Sequence, residues 1–366
     1  MAMKVEDILL DLVAIPSVSQ IANEPVIGYA EKHLAGWKIV RYPYRDAAGV
    51  EKINILATTK PGTAELAFVC HTDTVPYNQE WSEAVRPVIR GGKLYGRGSC
   101  DVKGFLACVL SATAKVDVAR LAKPLAIVLT ADEEIGCVGA KFLARKRVLR
   151  ARHMIIGEPT GLRPVCAGKG YALAEIVVRG KEAHSAFPAR GRSAIFDAAR
   201  VVTALERVAK KLAARKNRAF DPPFTTLNVG MIQGGTAKNI VAGECRITVE
   251  WRPVPGQAGD WAAELIREAL AGLRVDAVLD VKRLDPAFAP SETRDLATLV
   301  ESLTGRSAAT VSFGTEAAHL SGLASEAIVF GPGDMTVAHK SGEFVPVKEL
   351  HECVGYLGEL IERLCA

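Results

Sequence analysis

The sequence predicts an α/β protein in which a largely parallel mixed sheet flanked by helices is interrupted by a smaller inserted domain. Three observations predict it. Short apolar runs alternate with helical segments over residues 1–172 and again over 285–366. Between them, over 173–284, strand-like alternation surrounds two long helical segments. Acids, histidines and glycines follow the apolar runs of the outer segments, where such a sheet carries its ligand-binding loops.

The elements follow in order. Residues 5–15 have apolar side chains at helical spacing and stop at Pro16, which predicts a first helix. INILAT (53–58), LAFVC (66–70), LAIVLT (125–130) and HMIIG (153–157) have strand length and read as buried strands. KGFLACVLSATAKV (103–116) lies between the second and third of these and reads as a helix. In the insert, YALAEIVVRG, FTTLNVGMIQGG, ECRITVEWR and VDAVLDVKRL read as strands. SAIFDAARVVTALERVAKKLAARK and QAGDWAAELIREALAGL read as its helices. The order β-α-β-β-α-β describes a small antiparallel sheet with two helices on one face. The outer texture then returns: RDLATLVESLTG is helical, EAIVFGPG is strand then turn, and KELHECVGYLGELIERLC is a closing helix.

Bulk properties narrow the function. With 49% hydrophobic and 24% charged residues over 366 positions, the chain can bury a sizeable core. A net charge of +5 without a basic tail argues against a nucleic-acid binder. The basic runs ARKRVLRARH and ERVAKKLAARKNR read as solvated helix faces. The eight cysteines form no CxxC pair, which points away from a disulfide framework or a cysteine-rich zinc module. The N-terminal segment carries Glu6, Asp7 and Asp11 and does not read as a signal peptide. No apolar run has membrane-span length. The expectation is a reduced, cytoplasmic protein with a small-molecule substrate and neither nucleic-acid nor membrane partners.

Five places bring acids or histidines to strand ends or glycine-rich loops. VCHTDTVP places Asp73 two residues after His71, on the same side of extended backbone, where it can accept from one ring nitrogen while the other binds a metal. A surface His–Asp pair is the alternative. Asp101 in GRGSCDVKG precedes a helix, so capping is its alternative. In LAIVLTADEEIGC a buried strand runs into Asp132, Glu133 and Glu134. Adjacent like charges beside an apolar interior either face water or meet a positive partner. Glu158 in IIGEPT could be a solvated loop acid, and His339 sits in GPGDMTVAHKSGE. Imidazole and carboxylate donors together suit zinc, cobalt or manganese better than copper or iron–sulfur.

HTDTVP, GRGSCDVKG, TADEEIG, GEPT and GPG…AHK, in this order over residues 71–340, resemble the motifs of the dinuclear-metal deacylase and carboxypeptidase family. That family includes acetylornithine deacetylases, succinyl-diaminopimelate desuccinylases, aminoacylases and glutamate-releasing carboxypeptidases. The resemblance spans essentially the whole chain. It implies a zinc exopeptidase-like main domain and a ferredoxin-like insert that serves as lid and dimerisation domain. It implies two divalent ions, zinc or cobalt, bridged by Asp101. His71 and Glu158 complete one metal site, Glu134 and His339 the other, and Glu133 is the general base. Asp73 supports catalysis, and the Asp101–Val102 peptide is cis.

In the insert, KEAHSAFPARG resembles the motif whose histidine, here His184, reaches the partner's active site in a homodimer and steadies the oxyanion. Alone, His184 reads as a solvated loop histidine. GGTAKNIVAGECRITVEWRPVPG resembles the substrate-binding segment, which assigns Asn239 and Arg252 to substrate. A guanidinium fork suits a carboxylate, although a strand-end salt bridge explains Arg252 equally well. Ala167 and Gly168 stand where many acetylornithine deacetylases place a histidine before Lys-Gly, and NIVAG lacks a proline common after the asparagine.

TADEEIGCVGA, IGEPTG and VPG lie nearer the acetylornithine deacetylase branch. The implied activity is removal of acetyl from an N-acetyl amino acid in arginine biosynthesis. N-acetyl-L-citrulline is the first expectation and N-acetyl-L-ornithine the alternative. A desuccinylase, dipeptidase or aminoacylase on the same scaffold comes next, and a non-catalytic binding protein last.

Overall fold

The computed structural model describes residues 3–366. Helices α1 (Val5–Ala14) and α2 (Glu24–Lys32) precede the hairpin β1 (Lys38–Arg45) and β2 (Glu51–Thr58), then β3 (Ala64–His71). The short pair β4 (Val88–Arg90) and β5 (Lys93–Tyr95) leads to α3 (Lys103–Thr113), β6 (Leu125–Thr130), α4 (Val138–Lys146), β7 (Ala151–Gly157) and β8 (Val165–Gly168). Next come β9 (Tyr171–Arg179), β10 (Ala183–His184), α5 (Ala194–Ala214), β11 (Thr226–Gly234), β12 (Ile240–Val241), β13 (Glu244–Arg252), α6 (Trp261–Ala271) and β14 (Asp276–Asp285). The chain ends through α7 (Asp295–Thr304), β15 (Ala309–Val311), α8 (Ala317–Leu320), β16 (Ala324–Phe330), β17 (Phe344–Pro346) and α9 (Val347–Cys365).

The described chain divides into two compact units: residues 3–166, 290–309 and 315–366 form one, and 167–289 with 310–314 the other. The first boundary falls earlier than residue 172. Gly168 exchanges main-chain hydrogen bonds with Phe288, Lys169 donates to Val311, and Gly170 donates to Pro253, so this segment is held by the second unit.

A mixed sheet has the order β1-β2-β6-β3-β7-β16-β8-β15, and its strands from β1 to β16 in that order lie in the first unit. Its centre, β6, β3, β7 and β16, is parallel. β2 joins β6 antiparallel, and β1 joins β2 antiparallel. Every residue of β6 is buried, as a strand covered on both faces requires. Helices α1, α3 and α9 pack on one another, and α3 and α9 on β3. Their core includes Leu9, Leu12, Phe68, Phe105, Leu106, Leu357 and Phe330. The second unit has the sheet order β11-β13-β9-β14, all antiparallel. Helices α5 and α6 pack together on it over a core that includes Ile176, Val201, Leu205, Ile247 and Trp251. Strand β9 alternates between buried and half-buried positions, which leaves its other face less covered.

Among the described residues no helix is long and apolar enough to cross a membrane, and no two cysteines are joined.

Candidate metal centre

Parallel strands that lie side by side bring their C-terminal ends to one edge of the sheet. β6, β3 and β7 do this, so His71, the turn after Thr130 and Glu158 share that edge. Asp101 arrives from the loop before α3, and His339 from the loop between β16 and β17. The approach of α3 to β7 is close. A Cβ on Gly157 would lie 2.1 Å from the Phe105 ring, so only glycine fits beside Glu158.

The acids of LTADEEIGC separate through backbone conformation. Asp132 adopts left-handed φ of 59°. The Glu133 carbonyl accepts from the amides of Gly136 and Cys137, which closes a tight turn. Asp132 is fully buried, whereas Glu133 and Glu134 are partly accessible.

Two donor groups meet at Asp101. His71, Asp101 and Glu158 each offer a ligand atom within 4.8 Å of the others, and so do Asp101, Glu134 and His339. His71 Nε2 lies 3.2 Å from Asp101 Oδ1, and His339 Nε2 lies 3.1 Å from Asp101 Oδ2. His339 Nε2 is also 3.1 Å from Glu134 Oε1. Asp101 therefore turns a different oxygen to each histidine. It makes no capping hydrogen bond to α3, and Glu158 is buried, so neither the capping nor the solvated alternative describes them. Glu133 stands outside both groups, and Cys137 Sγ donates to its Oε1 at 3.3 Å. The Asp101–Val102 peptide is cis.

Asp73 differs from its expected contact. His71 Nδ1 lies 3.0 Å from the Asp73 main-chain oxygen but 3.7 Å from its carboxylate. The carboxylate is engaged elsewhere. It accepts from Ser19 Oγ at 2.7 Å and from the amides of Glu133 and Glu134 at 3.0 and 3.2 Å. It thus fixes the backbone that carries both glutamates.

The electrostatics call for positive charge. Burial raises the Glu133 carboxyl to about 8, and Glu134, Glu316 and Asp73 push the same way against His71. Burial and the charges of Asp101 and Glu133 hold Glu158 well above the usual range. Burial raises Glu134 too, opposed by His339. Asp101 moves down, because hydrogen bonds from His339 and His71 outweigh its burial. His339 rises to about 10 through its bonds to Asp101 and Glu134. Buried acids that resist ionisation, interleaved with imidazoles at ligand spacing, fit a pair of divalent cations.

His184, Asn239 and Arg252 belong to the second unit. β10 and β12 pair His184 with Ile240, and the Ser185 amide donates to the Asn239 carbonyl at 3.0 Å, so His184 and Asn239 are neighbours. The His184 side chain is exposed. Arg252 is half-buried, with Nε 3.7 Å from Glu250 and its guanidinium 4.8 Å from the Tyr171 ring centre. The salt-bridge partner is therefore present, at long range.

Residues that the sequence reading gave no role also shape the first unit's site. Glu343 is buried and pairs with buried Arg97 at 2.6 Å, while its other oxygen accepts the amides of Cys100 and Asp101. Lys52 and Tyr44 reach Asp132. A lysine inside an apolar strand, and an acid four residues after His339, were the signals available.

The profile of peptidase family M20/M25/M40 matches residues 67–363. An acetylornithine deacetylase of Myxococcus xanthus is 45% identical over 98% of this chain and 96% of its own length. An acetylornithine deacetylase of Proteus mirabilis is 34% identical over 97% and 95%. Among solved structures, the aminopeptidase PepT of Bacillus cereus superposes with a TM-score of 0.77 at 23% identity, covering 98% of each chain, which is a likeness of fold. The chain belongs to peptidase family M20/M25/M40 and is a hydrolase of amide bonds.

Proposed function

We propose that this protein removes the acetyl group from N-acetyl-L-ornithine in arginine biosynthesis. The observation that carries the reading is the pair of donor groups sharing Asp101, with Glu133 beside them and outside both. Similarity to acetylornithine deacetylases along nearly the whole chain supports the substrate class. N-acetyl-L-citrulline, the first expectation, rests on overall resemblance, and no residue selects it. The name shared by the relatives supports the acetylornithine reading.

In this reading His71, Asp101 and Glu158 hold one ion, and Asp101, Glu134 and His339 the other, zinc or cobalt. When bound, such ions acidify a water and polarise an amide carbonyl. Glu133 takes the proton from the attacking water and returns it to the departing amine nitrogen. Asp73 keeps Glu133 and Glu134 in register through their amides. Arg252 grips the substrate carboxylate and Asn239 hydrogen-bonds the substrate. His184 donates to the developing oxyanion from the opposite copy of a homodimer. Exposed Ile195 and Phe196 on α5 and Met231 and Ile232 on β11 support association through the second unit. A cytoplasmic location accompanies the biosynthetic role.

A competition assay with acetylornithine, acetylcitrulline and acetylmethionine tests the proposal. Protein stripped by chelator and replenished with zinc or cobalt should prefer acetylornithine. Clear preference for acetylcitrulline would replace the substrate. Failure of the reloaded protein to hydrolyse any acetyl amino acid would favour a binding protein.

A further inference from the structure

Asp132 shares the turn with Glu133 and Glu134 but belongs to neither donor group. Its carboxylate is sealed from solvent and points the other way. Oδ1 lies 3.0 Å from Lys52 Nζ, and Oδ2 accepts from Tyr44 Oη at 2.7 Å. Tyr44 and Lys52 are directly opposed in the β1–β2 hairpin, so both side chains leave one face of that ribbon together. The Tyr44 ring also stacks on Phe142 of α4, the helix that follows the turn.

Lys52 is as deeply buried as its partner, at 1% exposure against 0%. Its ammonium has more than one partner. It also donates to the carbonyls of Ser19 and Ile21. Ser19 in turn donates to the Asp73 carboxylate, which accepts the amides of Glu133 and Glu134. One cation therefore steadies the acidic turn from two sides: directly through Asp132, and through Ser19 and Asp73. Asn54, two residues along β2, adds a third tie by accepting the Ala131 amide at 3.0 Å.

We infer that Lys52, with Tyr44 and Asp132, is a positioning device that holds the left-handed turn so that Glu133 and Glu134 face the donor groups at fixed separation. The hairpin carrying it supplies no donor to either group. A buried ion pair adds little net stability once its desolvation is counted, so we assign this one to orientation. Its loss should therefore appear in turnover and in occupancy of the Glu134–His339 group. This inference rests on the proposed roles of Glu133 and Glu134.

The test compares wild type with Tyr44→Phe and with the paired change Lys52→Met and Asp132→Asn, which removes both buried charges together. Cobalt(II) binding is followed by calorimetry and visible absorption without substrate, and kcat and KM are measured separately. The expected result is a second cobalt bound roughly tenfold more weakly, with a changed spectrum. kcat should fall roughly 10- to 100-fold, with KM within about threefold of wild type. Tyr44→Phe should show the same pattern at smaller amplitude. If the paired variant fails to fold, Tyr44→Phe decides. Wild-type cobalt affinity, spectrum and kcat in a folded paired variant, or in Tyr44→Phe when the paired variant cannot be read, would overturn the inference. Because cobalt binding is read without substrate, a wild type that deacetylated nothing would defeat the substrate reading and leave this test standing.

Discussion

Glu316 is a buried acid whose burial outweighs its compensating neighbours, and its replacement makes a quantitative prediction. It is 1% exposed and forms no ion pair with Lys or Arg among the described residues. Burial, reinforced by Asp73 and opposed by His71 and the Thr130 hydroxyl, raises its carboxyl from 4.5 to about 7. An acid whose folded value is raised gives full stability below its unfolded value and loses it as pH rises through the folded value. Here that window runs from 4.5 to about 7. At about 1.4 kcal/mol per pH unit, ionising the side chain costs the folded state on the order of 2–3 kcal/mol between about pH 5 and pH 8. Glu316→Gln keeps the shape and cannot ionise. In urea denaturation of chelated protein, the variant should match wild type near pH 5. It should be more stable by on the order of 2 kcal/mol near pH 8. Equal stability at both pH values, or a less stable variant near pH 8, would refute the reasoning.

Three further perturbations probe the site and its scaffold. Glu133→Gln should retain both ions by metal analysis but lose roughly 10²- to 10⁴-fold in kcat, and near-normal turnover would exclude Glu133 as the base. His339→Ala should lower bound metal from about two ions to about one per chain, read by elemental analysis after dialysis; unchanged content would remove His339 from the ligand set. Gly157→Ala forces a methyl against the Phe105 ring and should destabilise the first unit by about 1–3 kcal/mol in denaturant titration, with no loss if α3 can retreat.

The sequence made the buried parallel strands legible because burial on both faces leaves continuous apolar runs. LAIVLT becomes β6 with the bounds read from it. HMIIG begins two residues late, because Ala151 and Arg152 lack that signal. Strand β1 was not legible at all. KIVRYPYR mixes charge with a proline, which an edge strand tolerates because one side of its backbone has no ladder to complete. At the site, His71, Asp101, Glu133, Glu134, Glu158 and His339 stood in motifs whose order carried the resemblance. Apart from Asp73, the residues that orient them did not. Lys52, Tyr44 and Glu343 act through tertiary contacts, and local spacing says nothing of a partner that lies dozens or hundreds of residues away. The Asp73 carboxylate stays near His71, but its closer partners were illegible for a related reason. Strand geometry puts its side chain near His71, but three stronger donors compete for the carboxylate.

The two donor groups differ in depth. His71, Asp101 and Glu158 are all buried, whereas Glu134 is partly accessible and His339 is exposed. If ions occupy them as proposed, the inner group is closed in by packed protein, while the outer one has an exposed imidazole and a partly accessible carboxylate among its donors. The inner ion then behaves as a long-lived resident. The outer ion exchanges with its surroundings, so the working fraction of the enzyme follows the free metal concentration through the outer position alone.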